Sequence, residues 1–361
     1  MIVVSGFLVV VCSFTAFVDL LLLYLWSFHR KEYKEPIPNL PSISVLVAAR
    51  NEEANLSACL DSLLQLDYPQ DRLEILVGDD NSTDSTWSIA SSYAKKKQVS
   101  AFQIQSNLGS AKGKANVLAH LAQQAQNEVF LITDADVIVP KGWVKGMISG
   151  LLPKVGIVNG FTIVKNNVWQ CIDWLFALGM VKVITDSFRP VTAMGNNMLV
   201  TRKAYESTGG YESIPFSITE DFELFKQVSK RGFKTVQLMN TDVLATTLAQ
   251  SDFKGLLNQR KRWMRGAVQL PWPIVSILSL QALFFPGILA LIVINPQIGT
   301  FILASKVLLQ SAFILTLASY LKLRFRFHQV LLYEFYSLYV AITTGIFYLL
   351  PTKVSWKGRK Y

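Results

Sequence analysis

Two apolar runs of the chain end in closely spaced aspartates. One ends in Asp79 and Asp80, and the other ends in Asp134 and Asp136, which a single alanine separates. Two carboxylates at the end of a buried strand are costly unless something neutralises them. A hard divalent cation does so with oxygen ligands, and it often joins one or two carboxylates to substrate phosphates. The second pair therefore predicts a Mg²⁺ or Mn²⁺ site at Asp136 and Asp134.

The pair Asp79 and Asp80 predicts a different task. Carboxylates that emerge at the edge of a sheet accept hydrogen bonds from a uracil N–H or from ribose hydroxyls. The alternative is an ordinary turn, in which Ser82 or Asp84 caps the next helix. Both interpretations can hold for different residues of this segment.

Two further polar clusters stand at the start of candidate helices. The run Ala48-Ala49-Arg50-Asn51-Glu52-Glu53 is as typical of a ligand site as of a helix start with acidic first-turn residues. Lys114 follows a basic segment that contains glycine, but Leu108 and Ala115 stand where a P-loop needs glycine and a hydroxyl residue. The P-loop is excluded, and a phosphate-facing helix entrance and a solvated basic loop are equal alternatives.

Two later clusters carry the remaining candidates. Glu220 and Asp221 follow Thr219 at the start of a predicted helix. In one interpretation Thr219 caps this helix and the acidic residues suit the helix dipole. In the other, one carboxylate serves as a general base for an acceptor hydroxyl. The run Gln259-Arg260-Lys261-Arg262-Trp263 is either a basic juxtamembrane helix or a site in which Trp263 is an acceptor platform beside a diphosphate.

The composition points to a membrane. Of 361 residues, 51% are hydrophobic and 17% are charged, against about 25% charged in ordinary soluble chains, and the net charge is +10. Lysine and arginine flank the apolar segments and form no stripe interleaved with aromatics, which disfavours nucleic acid as a partner. Three cysteines without a CxxC pattern and three scattered histidines argue against a disulfide framework and a zinc site.

The run from Ile2 to Phe28 has Asp19 as its only charge and is long enough to cross about 30 Å of hydrocarbon. Basic residues follow this run and none precedes it, which opposes a cleaved signal peptide. We expect a retained anchor over residues 1–29, with residue 30 onward in the cytosol. For Asp19 we favour a solvated or paired carboxylate over a functional one.

A proline-bearing linker, residues 30–42, leads into a strand- and helix-like segment, residues 43–269. The predicted strands are Ile43–Ala49, Leu73–Asp79, Ala101–Gln105, Val129–Asp134 and Gly156–Val164. The predicted helices are Glu53–Gln65, Ser85–Lys96, Lys114–Gln126, Trp143–Leu152 and Asp221–Arg231. This alternation predicts an α/β fold with a mostly parallel, Rossmann-like sheet that binds ligands beyond the carboxyl ends of its strands.

Residues 270–350 contain three more apolar segments, Leu270–Ile294, Gln297–Leu321 and Val330–Leu350, before a basic tail, residues 351–361. Three full crossings would place that tail away from the cytosol, against the positive-inside rule. We therefore expect one segment to stay at the interface. The first, which contains Pro271, Pro273 and Pro286, is the candidate.

Taken in order, the clusters from Ala48 to Trp263 resemble the family 2 glycosyltransferases, which are inverting enzymes with a GT-A fold. The resemblance covers roughly Ile43 to Gln269. Its last two motifs look like the Thr-Glu-Asp and Gln-x-x-Arg-Trp motifs of the membrane branch, which includes cellulose, chitin and hyaluronan synthases and ceramide glucosyltransferases. The tail from Val354 to Tyr361 looks like the Trp-Lys-Gly-Arg ending of lipid-directed members.

The resemblance implies a role for each cluster. Asp221, beside Glu220, would be the general base, and Asp136 with Asp134 would hold Mg²⁺ or Mn²⁺. Ala48 departs from the proline or threonine of many members. The donor, expected to be a UDP-sugar, and its diphosphate would contact Ala48, Arg50, Glu52, Asp79, Asp80, Lys114, Asp134, Gln259, Arg262 and Trp263, the last three also facing the acceptor.

The predicted function is transfer of a sugar to a membrane lipid or lipid-linked acceptor by an integral membrane enzyme with a cytosolic catalytic domain, in a bacterial inner membrane. A processive polysaccharide synthase is the alternative, but three to five apolar segments are few for a channel wall. A non-catalytic membrane scaffold is a further alternative, which the complete set of carboxylates disfavours. No nucleic-acid partner is expected.

Overall fold

The computed structural model describes residues 2–33, 39–353, 355–356 and 359–360. Pro36 and Pro38 of the expected linker lie outside the described residues, as do Lys357 and Gly358 of the basic tail.

Strands and helices alternate through the middle of the chain. The described strands are β1 Ile43–Ala49, β2 Leu73–Asp79, β3 Val99–Gln103, β4 Val129–Asp134, β5 Val155–Asn159, β6 Phe161–Lys165, β7 Asn197–Thr201, β8 Lys234–Gln237, β9 Leu244–Leu248, β10 Ser355–Trp356 and β11 Arg359–Lys360. The described helices are α1 Ile2–His29, α2 Leu56–Leu64, α3 Thr86–Tyr93, α4 Lys114–Gln124, α5 Trp143–Ile148, α6 Val168–Ser187, α7 Arg202–Ser207, α8 Glu220–Lys230, α9 Phe253–Ala267, α10 Trp272–Ile294, α11 Pro296–Tyr320 and α12 Phe327–Leu349.

The main sheet has the strand order β3-β2-β1-β4-β7-β5-β8. Adjacent strands of this sheet pair in parallel except at β7, which runs antiparallel to β4 and to β5. One buried apolar cluster joins the sheet to α2 and α5, and another joins it to α4, α7 and α8. Helices on both faces explain why β1, β2 and β4 are nearly continuous apolar runs, and the predicted mostly parallel α/β fold is confirmed.

The predicted strand Gly156–Val164 is wrong as one element. It is two strands, because β5 belongs to the main sheet while β6 pairs with β9 in a second sheet. Gly160 lies at the break, and a Cβ atom there would approach the side-chain oxygen of Asn197 to 2.2 Å. The close approach of this buried amide lets the chain change sheets at that point, which an apolar pattern does not reveal.

Five described helices are long and apolar enough to cross a membrane: α1, α6, α10, α11 and α12. Helices α1, α10 and α11 pack together in a cluster that includes Cys12, Phe284, Ile288 and Ile302. Asp19 of α1 is paired, as one interpretation predicted, because Lys306 of α11 lies 3.1 Å from it. Helix α6 packs against the second half of α1 and against α11.

The prediction that the first C-terminal segment stays at the membrane interface remains a prediction, because length and composition fit α10 for a crossing as well. Helix α10 is one continuous helix around Pro286, and it lies along α1, with the Sγ of Cys12 donating to the carbonyl of Phe284. Helix α12 begins after the turn that ends α11 and packs against α6, α9 and α11.

Candidate active site

The carboxyl ends of β1, β2 and β4 open into a cavity of about 940 Å³. Parallel pairing sets Ala48 beside Asp134 and Ala49 beside Asp79 at this edge of the sheet. Of the residues predicted to form the site, the cavity is lined by Ala48, Arg50, Glu52, Asp80, Lys114, Asp134, Asp136, Glu220, Asp221, Gln259, Arg262 and Trp263.

Asp79 is the predicted site residue that does not line the cavity. Its side chain is fully buried, and its carboxylate accepts a hydrogen bond of 3.2 Å from the backbone N–H of Ser82. It shapes the turn behind the cavity wall, and its predicted contact with the donor stays a prediction. Asp80 reaches the cavity in its place, and Arg50 donates to the backbone carbonyl of Asp80 and lies 3.9 Å from its carboxylate.

Of the two predicted caps of the next helix, Ser82 and Asp84, it is Asp84 that bonds the start of α3, although Ser85 occupies the cap position itself. The carboxylate of Asp84 accepts hydrogen bonds from the backbone N–H and the hydroxyl of Thr86, at 3.0 and 2.6 Å. Thr219, by contrast, stands at the cap position of α8 without a capping side-chain hydrogen bond. Its hydroxyl lies 3.1 Å from that of Ser217 instead, so the prediction of a threonine cap is wrong.

Asp134 and Asp136 offer two carboxylates to a metal ion on the cavity wall. No group of three or more acidic, histidine or cysteine side chains suited to a metal exists among the described residues. Two carboxylates are too few to enclose Mg²⁺ or Mn²⁺, but they fit an ion whose remaining ligands are phosphate oxygens and water. The donor set therefore fits a metal that binds together with a diphosphate.

Lys114, at the first position of α4, bridges the acidic pair at the end of β4 and the acidic pair at the start of α8. Its ammonium lies 2.5 Å from the Asp134 carboxylate and 3.0 Å from that of Glu220, and it donates to the carbonyl of Gly195 at 3.4 Å. Burial alone would lower the pKa of Lys114, but the carboxylates of Asp134 and Glu220 raise it above its ordinary value. A protonated lysine is thus held on the cavity wall between Asp134 and Glu220.

Asp221, in the first turn of α8, is held at both carboxylate oxygens. The backbone N–H of Gly195 donates to one oxygen at 2.8 Å, and the N–H of Phe222 donates to the other at 2.8 Å. Burial and the neighbouring Glu220 raise the pKa of Asp221 to about 6, against the opposing effects of Lys114 and the two N–H groups. A carboxylate with this pKa is well suited to accept a proton near neutral pH.

Helix α9 carries the Gln-x-x-Arg-Trp cluster along one face. Gln259, Arg262 and Trp263 line the cavity, as the three- and four-residue spacing of a helix face requires. The Trp263 ring packs edge to face on Trp174 of α6, with centroids 5.2 Å apart, and the Arg260 guanidinium lies 4.3 Å from the Trp263 ring centre. The side-chain oxygen of Gln259 is buried without a hydrogen-bond partner among the described residues.

Sequence reasoning missed the segment before β7, residues 192–196. Because β7 runs antiparallel to β4, its first residue, Asn197, lies beside Thr133, and the preceding segment therefore reaches the cavity. A Cβ atom on Gly195 would lie 3.0 Å from the Cβ of Asp221, which explains the glycine. A polar Gly-Asn-Asn run before an apolar strand was the available signal.

Two further walls of the cavity were also missed. One is polar and includes Thr247, Gln250 and Asn258. The other is apolar and comes from α6, α9 and the C-terminal helices; it includes Trp174, Leu178, Val181, Ala267, Leu270 and Phe347. The cavity therefore joins a charged end at the sheet to an apolar end at the candidate membrane helices.

The same architecture occurs in a solved structure. Mannosyltransferase PcManGT from Pyrobaculum calidifontis, in complex with GDP-Man and Mn²⁺, superposes over 96% of this chain and all of that chain, with a TM-score of 0.60. At 20% sequence identity this likeness shows the fold. The sheet, its acidic edge and the apolar helices define a membrane glycosyltransferase with a GT-A fold.

The chain belongs to glycosyl transferase family 21, whose family model matches residues 8–361. The motif-based prediction of a membrane GT-A glycosyltransferase is thereby confirmed, with family 21 as the family that matches. Over 250 residues the chain is 30% identical to the probable glycosyltransferase YdaM of Bacillus subtilis, which covers 65% of this chain and 57% of that protein. Over 244 residues it is 28% identical to a beta-monoglucosyldiacylglycerol synthase of Synechocystis, and the match covers 63% of this chain and 48% of that protein. The chain spans about half the length of these curated relatives.

Proposed function

We propose that this enzyme transfers one sugar from a nucleoside-diphosphate sugar, with a UDP-sugar expected, to a membrane lipid, with inversion at the anomeric carbon. The observation that carries the proposal is the shared cavity: Asp80, Asp136 and Asp221, which are far apart in sequence, line one space that ends in an apolar wall. A polar sugar donor and an apolar acceptor fit opposite ends of such a space.

The proposed reaction consists of one displacement at the anomeric carbon and one proton transfer. The acceptor hydroxyl oxygen forms a bond to the anomeric carbon while the bond from that carbon to the diphosphate oxygen breaks. Asp221 takes the hydroxyl proton, and its two backbone hydrogen bonds fix the direction of its carboxylate. The pair of electrons from the broken bond leaves with the nucleoside diphosphate.

Positive side chains lie where the leaving group gains charge. Lys114 and Arg262 both line the cavity, and Lys114 lies 2.5 Å from the Asp134 carboxylate, so both are candidates to contact the diphosphate. A divalent cation bound by Asp134 and Asp136 would neutralise part of the diphosphate charge. Preorganised charge of this kind is usually the largest single contribution to such catalysis. Mn²⁺ in the structure of PcManGT with GDP-Man supports the assignment of a metal.

A lipid acceptor is favoured over a growing polysaccharide by the apolar wall and by the number of membrane helices. The name beta-monoglucosyldiacylglycerol synthase, carried by the Synechocystis relative, supports a lipid acceptor. A poly-beta-1,6-N-acetyl-D-glucosamine synthase of Staphylococcus epidermidis, 26% identical over 259 residues, keeps the processive alternative as the second candidate.

The test is product analysis. Purified enzyme in lipid nanodiscs is incubated with a panel of labelled nucleotide sugars and with diacylglycerol, ceramide or polyprenyl phosphate, and the products are extracted and sized. We expect a lipid that carries a single sugar. A water-soluble polymer would establish the processive alternative, and the absence of both transfer and donor hydrolysis would establish a scaffold.

We further propose that the catalytic domain, the turn between α11 and α12, and the end of α12 all lie on the cytosolic side. Tyr320, at the end of α11, donates to Glu32 beyond the end of α1 and lies under the guanidinium of Arg30. The basic residues after α1 and between α11 and α12 then share one side, in agreement with the positive-inside rule.

A further inference from the structure

Two residues of the Gln259-Arg260-Lys261-Arg262-Trp263 motif do not line the cavity: Arg260, which pairs with Asp173, and Lys261, which is directed towards α12. Lys261 is only 3% exposed. Its ammonium donates to the backbone carbonyls of Phe347 and Leu350, at 3.1 and 2.8 Å, and to the hydroxyl of Thr352 at 2.9 Å. All three acceptors lie at the end of α12 or just beyond it.

These acceptors explain why a buried cation is tolerated here. The last carbonyls of a helix have no partner within the helix and carry partial negative charge, so a cation stabilises them. No carboxylate forms an ion pair with Lys261 among the described residues. The whole hydrogen-bonding capacity of the ammonium is therefore spent on the end of α12, and three bonds are the most that a lysine can donate.

The segment held in this way is part of the cavity. Phe347, Thr352 and Lys353 line it, on the side of the apolar wall. On the same helix, Gln259, Arg262 and Trp263 line the cavity, whereas Lys261 does not. One helix thus carries both the predicted diphosphate and acceptor residues and the lysine that sets the position of the opposing wall.

We propose that Lys261 is a positioning residue for the acceptor: it holds the end of α12 and residues 350–353 against α9, and thereby forms the entrance through which the lipid acceptor reaches Asp221. This inference rests on the proposed function. It predicts that losing the clamp weakens acceptor binding and leaves the donor end of the cavity intact.

The test replaces Lys261 with methionine, which keeps the length of the side chain and removes the charge and the donors. Loss of hydrogen bonds from a charged group predicts an increase of about tenfold in the KM for the lipid acceptor. We expect kcat, the KM for the donor and donor hydrolysis without acceptor to stay within about twofold, the pattern of a binding defect. Amide hydrogen exchange over residues 343–349 should become faster, while that of α11 stays the same.

Two controls keep the test decisive. Lys230→Met removes an exposed lysine at the end of α8 and should change neither the KM nor the exchange. Lys261→Gln keeps two N–H donors without a charge and should give an intermediate KM; it also serves if the methionine variant does not fold.

An unchanged acceptor KM in a Lys261→Met variant with faster exchange would overturn the proposal, because the clamp would then be structural alone. Equal losses in acceptor transfer and donor hydrolysis would overturn it as well. A wild-type enzyme that glycosylates no lipid would instead refute the proposed function.

Discussion

At the scale of single residues, Asp221 has properties that its position in the fold creates. Its carboxylate is fixed by two backbone N–H groups. The charged side chains of Glu220 and Lys114 and the hydroxyl of Tyr211 lie near it. We expect Asp221→Asn to lower transfer by about 10²–10⁴-fold, because asparagine keeps the shape of the side chain and cannot accept the proton. Calorimetry should show donor binding within about threefold of wild type. Turnover within tenfold of wild type would remove Asp221 from its role.

The raised pKa of Asp221 also predicts how activity depends on pH on the acid side. Since the pKa of Asp221 is raised to about 6, its carboxylate becomes protonated as the pH falls through that value. Only the ionised form accepts a proton, so kcat/KM for the acceptor should rise with pH and level off above about pH 6. Glu220→Gln should move this limb to lower pH, because the charge of Glu220 contributes to the raised pKa. A limb that does not respond to Glu220→Gln would contradict the assignment.

The metal prediction concerns Asp134 and Asp136. We expect EDTA to stop transfer and added Mn²⁺ or Mg²⁺ to restore it, because two carboxylates and a diphosphate form a site that loses its ion readily to a chelator. In Asp136→Ala, added metal should restore little of the activity, and titration should show weaker metal binding in the presence of nucleoside diphosphate. Unchanged activity in EDTA would contradict the metal prediction and show that Lys114 and Arg262 neutralise the diphosphate without a metal.

At the scale of elements, Asn197 at the start of β7 ties four segments together. Its amide oxygen accepts from the indole N–H of Trp143 at 2.8 Å, and its amide nitrogen donates to the carbonyls of Phe161 and Val243 at 3.0 and 2.9 Å. All of this is buried, so loss of the amide leaves polar groups without partners. We expect Asn197→Ala to lower the free energy of unfolding by about 2–4 kcal/mol.

Thermal or denaturant unfolding of the detergent-solubilised enzyme measures this change. The exposed Asn107 provides a matched control, since Asn107→Ala removes the same group without uncovering a buried partner. Equal stability of the two variants would contradict the role given to Asn197. Because β7 carries the segment with Gly195, we also expect Asn197→Ala to lose activity at temperatures below its unfolding transition.

At the scale of the whole molecule, the path of α12 decides the topology. Cysteines introduced at Arg324, before α12, and at Lys353, after it, should react with a membrane-impermeant maleimide from the side of the catalytic domain. A cysteine at Gln297, in the first turn of α11, should react from the other side. The native cysteines Cys12, Cys59 and Cys171 are buried and free, so they contribute little background. Labelling of positions 324 and 353 from opposite sides would show that α12 crosses the membrane.

Much of the catalytic fold follows from local patterns in the sequence. The bounds of β1, β2 and β4 agree with the prediction residue by residue, because buried parallel strands are continuous apolar runs that polar residues end abruptly. The acidic residues at those ends were recognisable for the same reason. The carboxyl ends of parallel strands lie at the same edge of a sheet, so Asp80 and Asp136 could be placed together before the fold was known.

The tertiary structure decided what local patterns do not contain. Asp79 and Asp80 are neighbours of one type, yet alternation along the strand buries the first and exposes the second to the cavity. Helix α6 is as apolar as a membrane span although 56% of its most apolar stretch is buried inside the molecule, because burial against protein and burial in lipid select the same side chains. Contacts such as Gly195 with Asp221 and Lys261 with Leu350 join segments far apart in the chain, and only the packing of whole elements brings them within hydrogen-bonding distance.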